Sequence, residues 1–256
     1  MGEQLKTIRF AVIICLVCSV LLAFVSSLLT PRQNRNKEND ISVRVLDVLG
    51  EKVTNERGKL LVSQSELDEL FNTKITGLVL NEAGEVLPDM NVADLTDEQI
   101  SQRNEKTGRK AYYPLYRYTH ADGKTIYAMH ISGKGLWSTI KGYLAVENKP
   151  PINGKAQQDI VGITFYEQEE TPGLGGEIVK PFFTSRFIGK RLFDGVEQQL
   201  RILKSGEAGV GPSALDGITG ATITCRGVQD FINQDYQVYN NYFEQRRQAS
   251  RKGTNP

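Results

Sequence analysis

A run of uncharged, apolar residues close to the amino terminus sets the first limit on how this chain can fold. Residues 10–29 read FAVIICLVCSVLLAFVSSLL, with basic residues before and after them. Because a helix rises about 1.5 Å per residue, this run spans about 30 Å, the thickness of the hydrocarbon core of a bilayer. We expect a transmembrane helix at residues 10–29, after a short segment at residues 1–9. A cleaved signal peptide is the alternative, although its apolar region is usually only about 7 to 15 residues long. The flanking charges are nearly balanced and leave the orientation open.

The composition indicates a folded and nearly neutral protein. Of the 256 residues, 39% are hydrophobic and 24% are charged, and 31 basic against 30 acidic side chains give a net charge of +1. These fractions are typical of a globular chain. Without a broad basic surface, nucleic acid is not an expected partner.

The histidines and cysteines offer neither a metal site nor a disulfide framework. His120 and His130 are not in metal-ligand spacing with cysteines or acidic pairs, so we expect ordinary strand or turn residues and no bound metal. Cys15 and Cys18 lie within the apolar run, where a soft apolar side chain is the expected role. Cys225 is the one cysteine of the large region that follows, so it has no partner there for a disulfide.

The polar and amphipathic stretches divide the chain. Residues 31–40, PRQNRNKEND, are polar and begin with proline, which favours a short tether. Residues 63–72 have capping serines and an apolar side, which predicts a short helix. Residues 88–110 are rich in charged side chains and favour a surface helix or excursion. We expect residues 30–115 to form the tether and the first part of an extracytoplasmic region, and residues 116–256 to form the main domain.

Strand patterns precede one long helix. Short runs rich in β-branched and aromatic residues predict strands at residues 74–80, 124–132, 141–147, 159–167 and 199–205. In the fourth run, alternation places Val161, Ile163 and Phe165 on one face. After residue 224 the apolar residues recur at helical spacing up to Tyr242, which predicts a long C-terminal helix. The expected class is α+β, with a mixed sheet and this long helix, preceded by the transmembrane helix.

Three glycine-bearing segments lie beside the predicted strands, where the backbone can approach a ligand closely. They are GKGLWS at 133–138, ETPGLGG at 170–176 and DGITGATIT at 216–224. Taken singly, each is also compatible with a tight turn, and the first would then bury Trp137 in the core. Neither of the standard glycine-rich nucleotide-binding patterns is complete anywhere in the chain.

The third segment has local properties that suit a phosphate group. If residues 219–224 lead into the long helix, the N–H groups of its first turn have no partner within the helix, and the helix dipole favours a negative group there. The plain alternative is that the threonines only cap the helix, for which one of them would suffice.

The same segment carries a family resemblance. DGITGAT fits the pattern D-x-x-[ST]-G-A-[ST], in which a flavin transferase moves FMN from FAD onto the final threonine as a phosphoester. Together with YEQEETPGLGGEI at 166–178, GKGLWS at 133–138, GKRLFD at 189–194 and LVCS within the apolar run, the chain resembles the NqrC family of the Na+-translocating NADH:quinone reductases over nearly its whole length. The homologous subunit of the Rnf-type ferredoxin:NAD+ complex is the alternative within this group.

The resemblance implies covalent FMN on Thr222, with Thr224 as the nearest rival for the attachment. Asp216 would be read by the flavin transferase. Glu170 would either orient its loop or lie in solvent. An isoalloxazine ring needs an apolar surface and a few polar contacts. The remaining candidates for that contact are Thr219, Gly220, Ala221, Thr171, Leu174, Gly175, Leu136 and Trp137.

The resemblance also implies a role and a location. The chain would be one subunit of a complex that oxidises NADH, reduces ubiquinone and moves Na+, without a complete active site of its own. It would relay single electrons between an iron–sulfur centre and a flavin on another subunit. Its partners would be five other subunits, the flavin transferase and the membrane. It would cross the bacterial inner membrane once, with residues 1–9 cytoplasmic and residues 116–256 forming a periplasmic FMN-binding domain. A membrane-anchored flavin module that serves as a sensor or scaffold is the alternative of another class.

Overall fold

The computed structural model describes residues 2–55, 59–120, 123–152, 155–192, 199–208 and 211–251. The chain divides into two compact units, Met1–Ser42 and Val43–Pro256. Residues 193 and 194, the end of the segment GKRLFD, lie outside the described residues.

The first unit consists of the greater part of helix α1 (Gly2–Val48). Within it, Lys6–Ser27 has a mean hydropathy of 2.8 and is long and apolar enough to cross a membrane. Large apolar side chains along this segment, such as Phe10, Leu22 and Phe24, are exposed. The predicted N-terminal apolar helix is therefore confirmed in its length and composition.

The polar residues 31–40 lie within α1, where the sequence predicts a tether. The residues that follow Pro31 include arginine, glutamine, lysine and glutamate, all of which have high helix propensity. Pro31 and the asparagines of this stretch disfavour a helix, but they do not end α1.

The first elements of the second unit follow their predicted boundaries closely. Helix α2 (Gln64–Lys74) begins with a capping box, in which the Ser63 side chain accepts a hydrogen bond from Glu66 N and the Glu66 side chain accepts one from Ser63 N. Strand β1 (Ile75–Leu80) follows directly. The charged stretch 88–110 forms a 3-10 turn (Val92–Asp94) and the short helix α3 (Asp97–Ser101). The predicted helix and strand are confirmed, and the charged stretch is largely exposed except at its end, where Lys110 is fully buried.

Five strands form an antiparallel sheet in chain order. After β1 they are β2 (Tyr113–Thr119), β3 (Thr125–Lys134), β4 (Thr139–Ile152) and β5 (Lys155–Glu167). Four of these five were predicted individually, and β2 falls where strand character begins. The boundary predicted between residues 115 and 116 lies inside β2, and β1 pairs with β2 along its whole length. The sheet therefore contains strands from both of the regions that this boundary was predicted to separate.

Strand β5 differs from the predicted alternation at one position. Its pairing with β4 shifts register between Ala145 and Val146, whose partners are Gly162 and Ile160. Val161 is thereby left unpaired as a bulge, so Ile160 joins Ile163 and Phe165 in the core cluster. The prediction that Val161 shares the core face is wrong, because simple alternation does not foresee a bulge.

A second, smaller sheet follows the main sheet along the chain and precedes the last helix. Strands β6 (Arg201–Leu203) and β7 (Ala214–Asp216) pair in parallel. Before them, two 3-10 turns (Gly175–Val179 and Ser185–Phe187) flank the short helix α4 (Pro181–Thr184). Both strand directions of the predicted mixed arrangement therefore occur, divided between two sheets.

Helix α5 (Thr222–Arg251) closes the fold. Val228, Phe231, Ile232 and Tyr239 on this helix are fully or nearly fully buried, in one core cluster with residues from β3, β4 and β5. The long C-terminal helix and the α+β class are confirmed.

A buried ion cluster fastens the middle of α5 to β3. The Asp235 carboxylate, which is fully buried, accepts hydrogen bonds from Lys110 Nζ and Arg103 Nη2, both at 2.7 Å, and from Ser132 N at 3.1 Å. Burial lowers the pKa of Lys110 to about 8, even though Asp235 lies beside it. This cluster fixes the position of α5 along the sheet.

Candidate functional site

The first residue of α5 is Thr222, and the residue that caps the helix is Ala221. The first intrahelical bond runs from Cys225 N to Ala221 O at 2.9 Å, which makes Ala221 the N-cap. Alanine has no side-chain oxygen to accept a hydrogen bond from the first turn. None of the threonines occupies the capping position, so capping does not explain them. The N–H groups of residues 222–224 precede the first intrahelical bond and point away from the helix start.

The two rival threonines lie in opposite environments. Thr222 is exposed, whereas Thr224 is 1% exposed. The Thr224 hydroxyl donates a hydrogen bond to Glu170 Oε2 at 2.7 Å. One hydroxyl is therefore accessible to a large reagent, and the other is buried and engaged.

Glu170 is the residue that joins the three glycine-bearing segments. Besides Thr224, its carboxylate accepts hydrogen bonds from the backbone N–H groups of Leu136 (3.2 Å), Trp137 (3.0 Å) and Ser138 (3.1 Å). Its side chain is buried. Of the two roles expected for Glu170, orienting the loop is the one observed. It also ties that loop to the first turn of α5.

The Glu170 carboxylate is ionised at neutral pH. Burial opposes ionisation, but the hydrogen bonds from the Thr224 hydroxyl and from the N–H groups of Trp137, Ser138 and Leu136 outweigh it. Together they hold the pKa of Glu170 below its ordinary value.

A cavity of about 230 Å³ opens between these segments. It is lined by Leu136, Glu170, Thr171, Leu174, Gly175, Gly220, Ala221, Thr222, Ile223 and Thr224. Pockets that enclose a whole ligand usually measure about 300–1,000 Å³. This cavity is smaller than that range, so a planar ring bound in it would keep part of its surface exposed.

The lining of this cavity fits a flavin. Leu136, Leu174 and Ile223 present exposed apolar side chains beside a helix start whose first N–H groups have no partner within the helix. Gly220 adopts φ +79°, and a Cβ there would lie 2.9 Å from Leu174 Cδ2. A larger residue at position 220 would therefore be strained and would push Leu174 out of the wall.

Thr222 also borders a second cavity, of about 340 Å³, on its other side. The charged residues of that lining are Arg201, Lys204, Arg226 and Glu207. Three basic side chains against one acidic side chain make this side of Thr222 electropositive. A phosphate group on the Thr222 hydroxyl would meet favourable charge there.

Most of the predicted contact residues come together in the first cavity, and Thr219 and Trp137 do not. Thr219 is exposed in the turn before α5, outside the lining. Trp137 is 67% exposed, so the alternative that places it in the core is wrong, and its contact to the site is through its backbone N–H. The Asp216 carboxylate accepts hydrogen bonds from Gly206 N (2.8 Å) and Ala208 N (3.0 Å), which lower its pKa. Asp216 therefore also orders the turn after β6.

Ile223 is the lining residue that the sequence analysis missed. It is 59% exposed and follows directly after Thr222. Residues three, four and seven positions after it are Arg226, Gly227 and Asp230, so Ile223 is an apolar residue on the polar side of an amphipathic helix. That departure from the helical pattern is the signal that would have identified it.

This geometry is that of a protein with an FMN-binding domain. The family model described as "FMN-binding domain" matches residues 135–237, a range that contains Glu170, Thr222 and the whole cavity lining.

Comparison over the whole chain gives the particular family. The chain is 34% identical over 244 residues to the NqrC subunit of the Na(+)-translocating NADH-quinone reductase of Yersinia pestis, a match that covers 89% of this chain and 86% of that protein. The crystal structure of the corresponding reductase subunit from Parabacteroides distasonis matches with a TM-score of 0.64 at 29% identity, over 84% of this chain and 96% of that one. Shewanella oneidensis NqrC matches with a TM-score of 0.63 at 26% identity, over 82% and 99%. This chain belongs to the NqrC family of the Na+-translocating NADH-quinone reductases, and so to an oxidoreductase complex.

Proposed function

We propose that this chain carries FMN as a phosphoester on Thr222 and relays single electrons within a Na+-translocating NADH:ubiquinone oxidoreductase. Its electron partners would be an iron–sulfur centre and a flavin on another subunit. FMN supplies the one-electron redox chemistry when it is bound. The residues of this chain attach the cofactor, seat its ring and leave part of it exposed to a partner.

The observation that carries the proposal is the difference between the two threonines at the start of α5. A flavin transferase needs a threonine that it can reach, and Thr222 is exposed. Thr224 is buried, and its hydroxyl donates a hydrogen bond to the Glu170 carboxylate. The attachment is therefore assigned to Thr222 and not to its rival.

The attachment reaction needs no base from this chain. The Thr222 oxygen would bond to the FMN phosphorus of FAD, the phosphoanhydride bond would break, and AMP would leave, while the hydroxyl proton would pass to the transferase. The basic side chains of the second cavity and the N–H groups of residues 222–224 would then face the negative phosphoester. We keep Asp216 as the residue that the transferase reads, alongside its bonds to Gly206 and Ala208.

The first unit of the fold supports the proposed location. The exposed apolar helix would cross the bacterial inner membrane once and place the FMN-binding domain in the periplasm. There the domain would work with five other subunits. A covalently attached cofactor cannot be lost to that compartment, and its tether keeps it near its electron partners.

The proposal is tested by coproducing the full chain with a flavin transferase and measuring intact mass and in-gel flavin fluorescence. We expect one FMN on the wild-type protein and none on Thr222→Ala. Removing an exposed hydroxyl changes stability by less than about 0.5 kcal/mol, so the variant should fold. Thr224→Val is the matched control and should keep its FMN. Fluorescence retained by Thr222→Ala, or lost only in Thr224→Val, would contradict the assignment.

A further inference from the structure

We infer that Glu170 is the positioning residue of the flavin site, which holds the cavity wall in one arrangement and places an uncompensated negative charge beside the ring. The inference rests on the proposed attachment of FMN at Thr222. It concerns a different property, namely how the protein orients the ring and sets its midpoint potential.

The hydrogen bonds of Glu170 require a carboxylate. Both oxygens accept: Oε1 from the N–H groups of Trp137 and Ser138, and Oε2 from Leu136 N and the Thr224 hydroxyl. A glutamine amide has one accepting oxygen, and its NH2 group only donates. In Glu170→Gln, the NH2 group would therefore point at two of these donors, and those two hydrogen bonds would be lost.

Two glycines leave the space that Glu170 occupies. A Cβ on Gly135 would lie 2.5 Å from Glu170 Oε1. A Cβ on Gly175 would lie 3.0 Å from Glu170 Oε2 and 2.5 Å from Thr224 Oγ1. Gly135 and Gly175 are thus explained by the carboxylate that joins the first two segments to the third.

These bonds determine where the ring would sit. They hold the backbone of Leu136 on one side of the cavity and the first turn of α5 on the other. Leu174, four residues after Glu170, completes the wall. Without the carboxylate, each of these parts can move independently of the others.

The charge of Glu170 has a consequence for electron transfer. Every donor to Glu170 in the described part of the chain is a neutral hydroxyl or N–H group, so its negative charge is not cancelled by an ion pair. The residue lines the cavity itself. A negative charge beside a cofactor opposes the addition of electrons and lowers its midpoint potential.

The test compares Glu170→Gln with Glu169→Gln in the full chain coproduced with the transferase. Both variants lose one negative charge at neighbouring positions, but the Glu169 side chain is exposed to water. Intact mass gives FMN occupancy, visible circular dichroism reports the surroundings of the ring, and a spectroelectrochemical titration gives the midpoint potential.

We expect Glu170→Gln to keep its FMN, to alter the visible circular dichroism and to shift the midpoint potential to more positive values. Glu169→Gln should match the wild type. The inference is overturned if Glu170→Gln leaves both signals unchanged, or if the two variants shift the potential equally.

A second pair of variants covers the case in which Glu170→Gln does not fold. Thr224→Val removes the hydroxyl with little change in volume, and Thr224→Ser keeps it. The circular dichroism should change in the valine variant and be preserved in the serine variant, and equal spectra would overturn the inference. If the wild-type chain carries no FMN at Thr222, both the proposed function and this inference are contradicted. If the wild type carries FMN but the variants show no change, only this inference is overturned.

Discussion

Two buried carboxylates hold α5 against the rest of the fold, and they differ in the charge of their partners. Asp235, in the middle of the helix, is neutralised by Lys110 and Arg103. Glu170, at the helix start, is held by neutral donors alone within the described residues. The charge of Asp235 is therefore more than balanced by two positive charges, whereas Glu170 contributes position and leaves a negative charge beside the cavity. The difference separates an anchor that serves only the fold from one that also serves the site.

The largest effect expected from this comparison is the loss of the central anchor. Asp235→Ala leaves Lys110 fully buried without its counter-charge, and Arg103 loses the same partner. Breaking a buried ion pair in this way costs about 3–5 kcal/mol. Urea denaturation of the variant should show that loss of unfolding free energy. Glu170→Ala leaves only neutral donors unpaired, so the free energy of unfolding should fall by about 1–3 kcal/mol. Equal losses in the two variants would break the comparison.

The pH dependence of stability sharpens the comparison further. Because the pKa of Glu170 is lower in the folded protein than its ordinary value, its contribution is present at neutral pH. The contribution is lost as the pH falls below the ordinary glutamate pKa of about 4.3 and through the folded value. Glutamine at position 170 does not titrate. The gap in unfolding free energy between wild type and Glu170→Gln should therefore be widest near pH 7 and should narrow in acid. A gap that stays constant down to pH 3 would show that Glu170 is not held as a carboxylate.

The smallest effect is expected at Trp137, whose backbone is held by Glu170 while its ring is not. The side chain is 67% exposed, so Trp137→Ala should change the free energy of unfolding by no more than about 0.5 kcal/mol. Thermal unfolding checks this, with Phe231→Ala, a buried residue of α5, as the destabilised control. A loss at Trp137 as large as that of the control would mean that the ring is packed.

The elements of the fold were largely predictable from local patterns, because strands and amphipathic helices have their own periodicities. Helix α2 was predicted from its capping serines, and α5 from its apolar spacing after the flavinylation pattern. The bulge at Val161 was not predictable, since it depends on strand pairing that simple alternation does not encode. The helix at residues 31–40 was missed because their polarity and Pro31 were interpreted as a tether.

For the site, the sequence yields a prediction of the attachment point, which the experiments proposed here test, but not of the residues that support it. Thr222 followed from a seven-residue pattern. The role of Glu170 could not be assigned, because its partners lie 32 to 54 residues away along the chain and meet only in the folded protein. Asp235 was not singled out for the same reason, since Lys110 and Arg103 precede it by more than 120 residues.

The central claim, a phosphoester between FMN and the exposed threonine at the start of α5, is tested most directly by one measurement. Protein purified from its native membrane is digested, and the peptide that contains residues 202–226 is sequenced by tandem mass spectrometry. The account predicts one FMN on Thr222 and an unmodified Thr224. An unmodified peptide, or FMN on Thr224, would contradict it.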